Sequence, residues 1–254
     1  MKAYVTQSII PMYRDPDYQS ELINEILFGE LIELNGSYGD WTKVKCLFYD
    51  YEGWICSYAF DILNEDDDIS KYKTITSITA LIEIKDQIMC VSKGARIYDF
   101  MKINIVDGKF RENNTKISVG NIIEDAQSLL FSPYRWGGKT PFGVDCSGFV
   151  QLVFYVNNII LPRDAKEQSK IGEARIFAHD AYPGDLALFG NIVYDEENQR
   201  EIININHVGI VLNNSTIIHA FKSVHIDMFD HYGIYSENLK KYTHQLMFTK
   251  KVLE

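Results

Sequence analysis

The chain has 254 residues, 46% of them hydrophobic and 13% aromatic, spread along its whole length, so two or three compact units are expected and a long disordered tail is excluded. A formal net charge of −10 argues against nucleic acid or an anionic surface as the main partner, because both select clustered Lys and Arg. No stretch approaches the roughly 18 to 20 consecutive apolar residues that cross a bilayer, which excludes insertion by an apolar helix.

In chain order, the first thirty residues scatter Asp15, Asp17, Glu21 and Glu25 among apolar positions and lack a basic start with an apolar signal core. The expectation is a cytoplasmic chain, or an extracytoplasmic one whose leader has been removed. Residues 26–63 alternate short apolar runs (Leu31-Ile32-Glu33-Leu34, Trp41-Thr42-Lys43-Val44, Gly53-Trp54-Ile55) with turn residues such as Asn35-Gly36, which predicts a small antiparallel barrel in a domain over 1–66. The acidic run Glu65-Asp66-Asp67-Asp68 marks a boundary, since like charges resist packing. A second β-rich domain is expected over 67–118, with turns at Gly94, Asp107-Gly108 and Asn113-Asn114.

From residue 119 the pattern changes. Ile122, Ile123, Ala126, Leu129 and Leu130 recur at amphipathic-helix spacing, and a second helix over 146–157 carries Phe149, Val150, Val153 and Phe154 on one face. Strands then follow over 185–189, 202–212, 216–221 and 245–252. Helices first and an antiparallel sheet afterwards give an α+β domain over 119–254.

The segment Gly137-Gly138-Lys139-Thr140-Pro141-Phe142-Gly143-Val144-Asp145-Cys146 delivers a cysteine from a glycine-rich loop into a helix start. Unpaired amides and the positive end of the helix dipole there favour a thiolate, and the same amides suit an oxyanion. The other cysteines, Cys46, Cys56 and Cys90, form no CxxC pair with it or each other. His207, among apolar strand residues, is the candidate base, and His219 is the candidate group that orients it. A three-residue turn over Asn213, Asn214 and Ser215, which is the expectation, opposes Gly209 to His219 and leaves both histidines on one face; a two-residue turn at Asn213-Asn214 puts them on opposite faces. His179, His225, His231 and His244 are read as surface or structural. Cys146, His207 and His219 lack any zinc-motif spacing, so neither a metal nor another cofactor is expected.

Tyr134-x-Trp136-Gly137-Gly138, Asp145-Cys146-Ser147-Gly148-Phe149, Leu161-Pro162-Arg163, Pro183-Gly184-Asp185-Leu186, His207-Val208-Gly209 and Ile218-His219-Ala220 occur in the order seen in NlpC/P60 cysteine peptidases, which the chain resembles from residue 120 onward. Gly39-Asp40-Trp41-x-Lys43-Val44 and Tyr51-x-Gly53-Trp54-Ile55 resemble the bacterial SH3-like domains often fused to them. The resemblance implies a papain-like catalytic domain preceded by one or two SH3-like barrels. It also implies hydrolysis, through a Cys146 acyl-enzyme, of the bond between γ-D-glutamate and a diamino acid. The implied partner is a small murein peptide with a free N-terminal L-alanine, taken up by a monomer. By the same transfer, Asp145 and Ser147 bind the substrate amine and backbone, Tyr134 lies near the nucleophile, Trp136 lines the pocket and Arg163 faces a substrate carboxylate. Glu30 and Tyr51 are the SH3-like residues placed to cap the amine. Ala165 stands where the family pattern supplies a small hydroxyl residue, and 190–206 is long enough for an extended hairpin. The competing readings are a wall-peptide binder with a vestigial peptidase fold, and an acyltransferase that keeps the same three residues.

Overall fold

Alternating burial along short strands starts at the second residue. The computed structural model describes residues 1–175, 178–196 and 198–253. Strands Lys2–Val5, Ile9–Tyr13, Leu22–Leu27, Leu31–Tyr38, Trp41–Cys46, Tyr51–Cys56 and Phe60–Ile62 form one seven-stranded antiparallel sheet. Its inward residues, among them Val5, Ile10, Met12, Ile26, Ile32, Val44 and Ile55, make a single apolar core. Three of these strands precede or open the expected barrel. Acidic residues in and between them obscure the pattern, yet one of these, Glu25, is itself buried and accepts from Arg135 and Lys139 in the third domain.

Residues 72–112 build two three-stranded antiparallel sheets around Ile75, Ala80, Ile82, Val91, Ala95 and Ile97, and Phe28 of the first sheet completes that core. Gly29 makes the junction possible. Its φ is +77°, and a β-carbon there would lie 1.8 Å from the Arg96 carbonyl, so only glycine fits. The buried Arg96 guanidinium is enclosed by rings from all three parts of the chain, 4.3 Å from Phe48, 4.5 Å from Tyr72 and 3.8 Å from Tyr155.

Helix α1, Val119–Gln127, begins at Ser118, whose Oγ accepts from the Asn121 amide while Asn121 Oδ1 accepts from the Ser118 amide. Helix α2, Cys146–Tyr155, is almost wholly buried, as its apolar β-branched residues require. Among the described residues a seven-stranded sheet follows, in which the short strand Glu173–Arg175 pairs with the end of the last strand and the other six are β1 (Leu186–Asp195), β2 (Arg200–Asn213), β3 (Thr216–Phe221), β4 (Ser223–Phe229), β5 (Gly233–Ser236) and β6 (Lys241–Lys251). Each pairs antiparallel with the next, and β6 returns to β1, so the sheet closes into a barrel. Alternation divides the strands between two cores. Leu186, Leu188, Val208, Ile210 and Ile218 pack against Phe149, Val150, Val153 and Phe154 of α2, while Ala187, Phe189, Val211, Ile217 and Leu246 fill the barrel. The extended hairpin expected over 190–206 is the outer half of β1 and β2.

Candidate active site

The glycine-rich loop is clamped before it reaches the cysteine. Glu25 accepts from the Lys139 amide at 2.8 Å and from the Arg135 guanidinium at 2.7 Å. Glu30 takes the Lys139 ammonium at 2.6 Å, and Tyr49 completes the triangle by donating to Glu30 at 2.8 Å and accepting from Lys139 at 2.9 Å. The Glu30 and Lys139 side chains are each only 1% exposed. Glu30 therefore cannot reach a substrate amine, which corrects the role assigned to it: its charge is consumed in a buried pair that ties the barrel to the loop.

Asp145 caps α2. Its Oδ1 accepts from the Gly148 amide at 2.7 Å, and its Oδ2 accepts from the Gly137 amide at 2.9 Å. Gly137 adopts φ +72° and abuts the Leu22 carbonyl, a position no side chain tolerates. Arg163 grips the same carboxylate bidentately at 2.9 and 2.6 Å, and also donates to Ser147 and to Asn24 of the barrel. Its side chain is 1% exposed and its charge is neutralised by Asp145, so the expectation that Arg163 faces a substrate carboxylate is corrected. It is the anchor that holds Asp145 and Ser147 beneath the nucleophile.

Cys146 opens α2 and remains partly exposed on a cavity of about 300 Å³. The cavity is walled by Trp136, Asp145, Ser147, Tyr51, Asp164 and Ala165, with Glu21 at its rim. Trp136 is held there by donating to Glu21 at 2.8 Å, and Tyr51 donates to Asp164 at 3.2 Å. Glu21, not Glu30, is thus the barrel's carboxylate at the cavity, and its second oxygen is paired with Arg14 at 2.7 Å. Burial and the neighbouring Cys146 push the Tyr134 phenol up to about 12.

The thiol departs from expectation. Burial, and then the Asp145 charge, push Cys146 up to about 12, and the amides of Val208 and Ser147 that point at the sulfur offset this only in part. A thiol pushed up in this way needs a base to take its proton. The Val208 amide that points at the sulfur belongs to the residue after His207 on β2, so the cysteine meets the strand beside the backbone of the candidate base. A bulge falls at the same point: Phe189 pairs with His207 and Gly190 with Ile205, which leaves Asn206 as the extra residue, exposed to the cavity.

His207 Nε2 lies 2.8 Å from His219 Nδ1. Gly209 opposes His219 as the register predicts, but by a different route. The turn is a two-residue one over Asn214 and Ser215, and a bulge between Val211 and Asn213 restores the parity that a three-residue turn would have given. Gly209 lies on β2 directly opposite His219, and a β-carbon there would lie 2.7 Å from Ile217 Cδ1 and 2.9 Å from His219 Cβ. Gly209→Ala is expected to lower kcat by about 10- to 100-fold with little change in KM, read from steady-state kinetics, because it displaces His219 without touching the cavity.

The sequence missed three members of this neighbourhood. His219 Nε2 lies 3.4 Å from Asp227 Oδ2, and His225 Nε2 lies 3.2 Å from the same oxygen. His244 stacks on His207 with ring centroids 4.1 Å apart. Reading His225 and His244 as unconnected to the site is therefore corrected, whereas His179 and His231 stand apart from it. Burial holds His207, His219 and His244 below the ordinary imidazole value of 6.5, His244 at about 4. These rings bind protons less readily when folded than when unfolded, so their contribution to stability is complete above pH 6.5 and declines as pH falls toward the folded values. The thermal midpoint is expected to drop between about pH 6.5 and 4, and His244→Asn to make that decline shallower.

The NlpC/P60 family profile matches residues 132–247. The chain is 24% identical over 253 residues to dipeptidyl-peptidase 6 of Lysinibacillus sphaericus, covering 87% of this chain and 88% of that protein. It is 27% identical over 221 residues to the gamma-D-glutamyl-L-lysine dipeptidyl-peptidase of Bacillus subtilis strain 168, covering 78% and 72%. A crystal structure of an NlpC/P60 family protein from Bacillus cereus ATCC 10987 superimposes over the full length of both chains with a TM-score of 0.82 at 20% identity, which establishes a common fold.

Proposed function

Because residues 132–247 constitute an NlpC/P60 family domain, we propose that this protein is a cysteine peptidase that hydrolyses the γ-D-glutamyl-diamino acid bond of short murein peptides. The observation that carries the reading is the ordered chain from Cys146 at the α2 start, past Val208, to His207, His219 and Asp227. His207 Nε2 is committed to His219, so Nδ1 is the nitrogen that takes the Cys146 proton. The sulfur attacks the γ-carbonyl carbon, and the oxyanion is met by amides at the helix start and by Tyr134. The imidazolium then protonates the amine, the C–N bond breaks, and the remaining thioester is hydrolysed by a water that His207 deprotonates. For Nδ1 to act as base, Nε2–H must donate to His219 Nδ1, and His219 Nε2–H in turn to Asp227. Asp227 thereby fixes both tautomers.

Asp164 and the Tyr51 hydroxyl, beside the Arg14–Glu21 pair at the rim, form the end of the cavity that suits the ammonium of a free N-terminal L-alanine. Incubation with L-Ala-γ-D-Glu-diamino acid peptides and with their N-acetylated forms, followed by mass spectrometry, tests this. Cleavage confined to the free-amine peptides is the expected result; equal cleavage of both removes the amine-binding role, and cleavage of neither removes the reading.

A further inference from the structure

The carboxylate that fixes the tautomers also faces a second imidazole that no step above uses. His219 and His225 are directly opposed on β3 and β4, and Asp227 lies two residues along β4 on the same face. The His225 Nδ1 sits 2.8 Å from the Ser223 carbonyl, an acceptor only, so Nδ1 carries the proton. In the neutral ring this aims the bare Nε2 lone pair at a carboxylate oxygen 3.2 Å away. Two electron-rich atoms in that position need a positive charge between or upon them. A metal-bound histidine shows the same arrangement, with one ring nitrogen donating to a backbone carbonyl and the other free to ligate.

Two of the three ligand separations fit a small tetrahedral cation. Bonds of about 2.0 to 2.1 Å at tetrahedral angles set neighbouring ligand atoms about 3.3 Å apart. Here the two distances to Asp227 Oδ2 are 3.2 and 3.4 Å, and the three ligand atoms lie within 4.8 Å of one another. Two imidazoles and one carboxylate, with a water in the fourth position, are a donor set suited to zinc and poorly suited to Mg²⁺ or Ca²⁺. The Asp227 side chain is 16% exposed and that of His225 31%, which gives an ion access from solvent at the barrel mouth.

We propose that His219, His225 and Asp227 form an inhibitory Zn²⁺ site that switches the peptidase off by reversing the tautomers of the histidine pair. Zinc on His219 Nε2 displaces that ring's only proton to solvent, and the His207 Nε2 proton moves across the hydrogen bond to His219 Nδ1. His219 is then a neutral ring that donates from Nδ1 to His207 Nε2, and His207 regains one proton from solvent on Nδ1, so the pair loses no net proton. His207 has to hold its own proton on Nδ1, where it can no longer accept one from Cys146. The metal blocks the base from behind, without entering the substrate cavity.

Metal binding stands on the three ligands alone, whereas the inhibitory consequence rests on the proposed role of His207, and the experiment separates the two. Zn²⁺ is titrated calorimetrically into the wild-type protein, Cys146→Ala and His225→Phe, with Mg²⁺ as control and His225→Gln as a second variant in case the phenylalanine does not fold. Expected are one Zn²⁺ bound by wild type and by Cys146→Ala alike, affinity weakened roughly 10- to 100-fold or more in either His225 variant, and no response to Mg²⁺. In peptide cleavage, zinc inhibition reversed by a chelator is expected for the wild type, with a comparable loss of zinc sensitivity in each His225 variant, measured as the ratio of its rates with and without zinc. Binding that survives at full strength without His225, or that disappears with Cys146, overturns the site, because the metal would then sit on the thiol. Binding as expected without any inhibition leaves the site and refutes the switch; binding as expected in a protein that cleaves no peptide refutes the functional reading instead.

Discussion

Cys146→Ala is expected to lower kcat/KM for the free-amine peptide by about 10⁴-fold or more while leaving the unfolding midpoint unchanged. The sulfur makes no structural bond that the fold depends on. Its neighbours are the Val208 and Ser147 amides, the cavity stays open above it, and the α2 cap is supplied by Asp145. No other cysteine can replace it, since Cys46 is buried in the first barrel, and Cys56 and Cys90 lie on strands of the two N-terminal units. Retention of more than a few per cent of the activity, with the variant folded, would place the chemistry elsewhere.

Glu30→Gln is expected to destabilise the protein by about 3 to 5 kcal/mol, measured by denaturant unfolding, and to lower activity although Glu30 does not line the cavity. Removing the charge of one member leaves the buried Lys139 ammonium with a neutral amide, the Tyr49 hydroxyl and the faces of Tyr49 and Tyr155, and no counter-charge. The double variant Glu30→Gln/Lys139→Met should recover much of the loss, because no charge is then left without a partner. Activity falls with stability because the same pair fixes the loop that runs from Arg135 to Asp145 and on to the nucleophile. A loss below about 1 kcal/mol in Glu30→Gln would mean that the pair does not clamp the two parts together.

Residues that act through local sequence were legible. A glycine-rich loop ending in Asp145-Cys146 predicts a capped helix start, and parity within one hairpin is enough to place His207 and His219 on a shared face. Contacts between distant segments were not legible. Glu30 and Lys139 are 109 positions apart, and nothing near Glu30 signals a partner, so its charge was assigned to the substrate. Arg163 was misread for the same reason, since its bonds to Asn24 and Asp145 span two domains. The pattern Ser223-Val224-His225-Ile226-Asp227 does alternate, but whether its polar face is solvent or interior depends on β5 pairing with β6 and closing the barrel. That closure brings His244 onto His207 as well. The raised thiol is likewise a consequence of packing: a helix start favours the thiolate, and burial beside a carboxylate outweighs it.

The shared claim beneath these expectations is that Cys146 becomes acylated with His207 as its base. Mixing enzyme with the free-amine peptide, quenching in acid within the first turnover and weighing the intact protein tests it most directly. The account predicts a covalent adduct with the mass of the L-Ala-γ-D-Glu acyl group, mapped to the peptide containing Cys146, labile to hydroxylamine and missing from His207→Ala. Cleavage that proceeds without any such adduct, or with one that persists at full rate in His207→Ala, would contradict it.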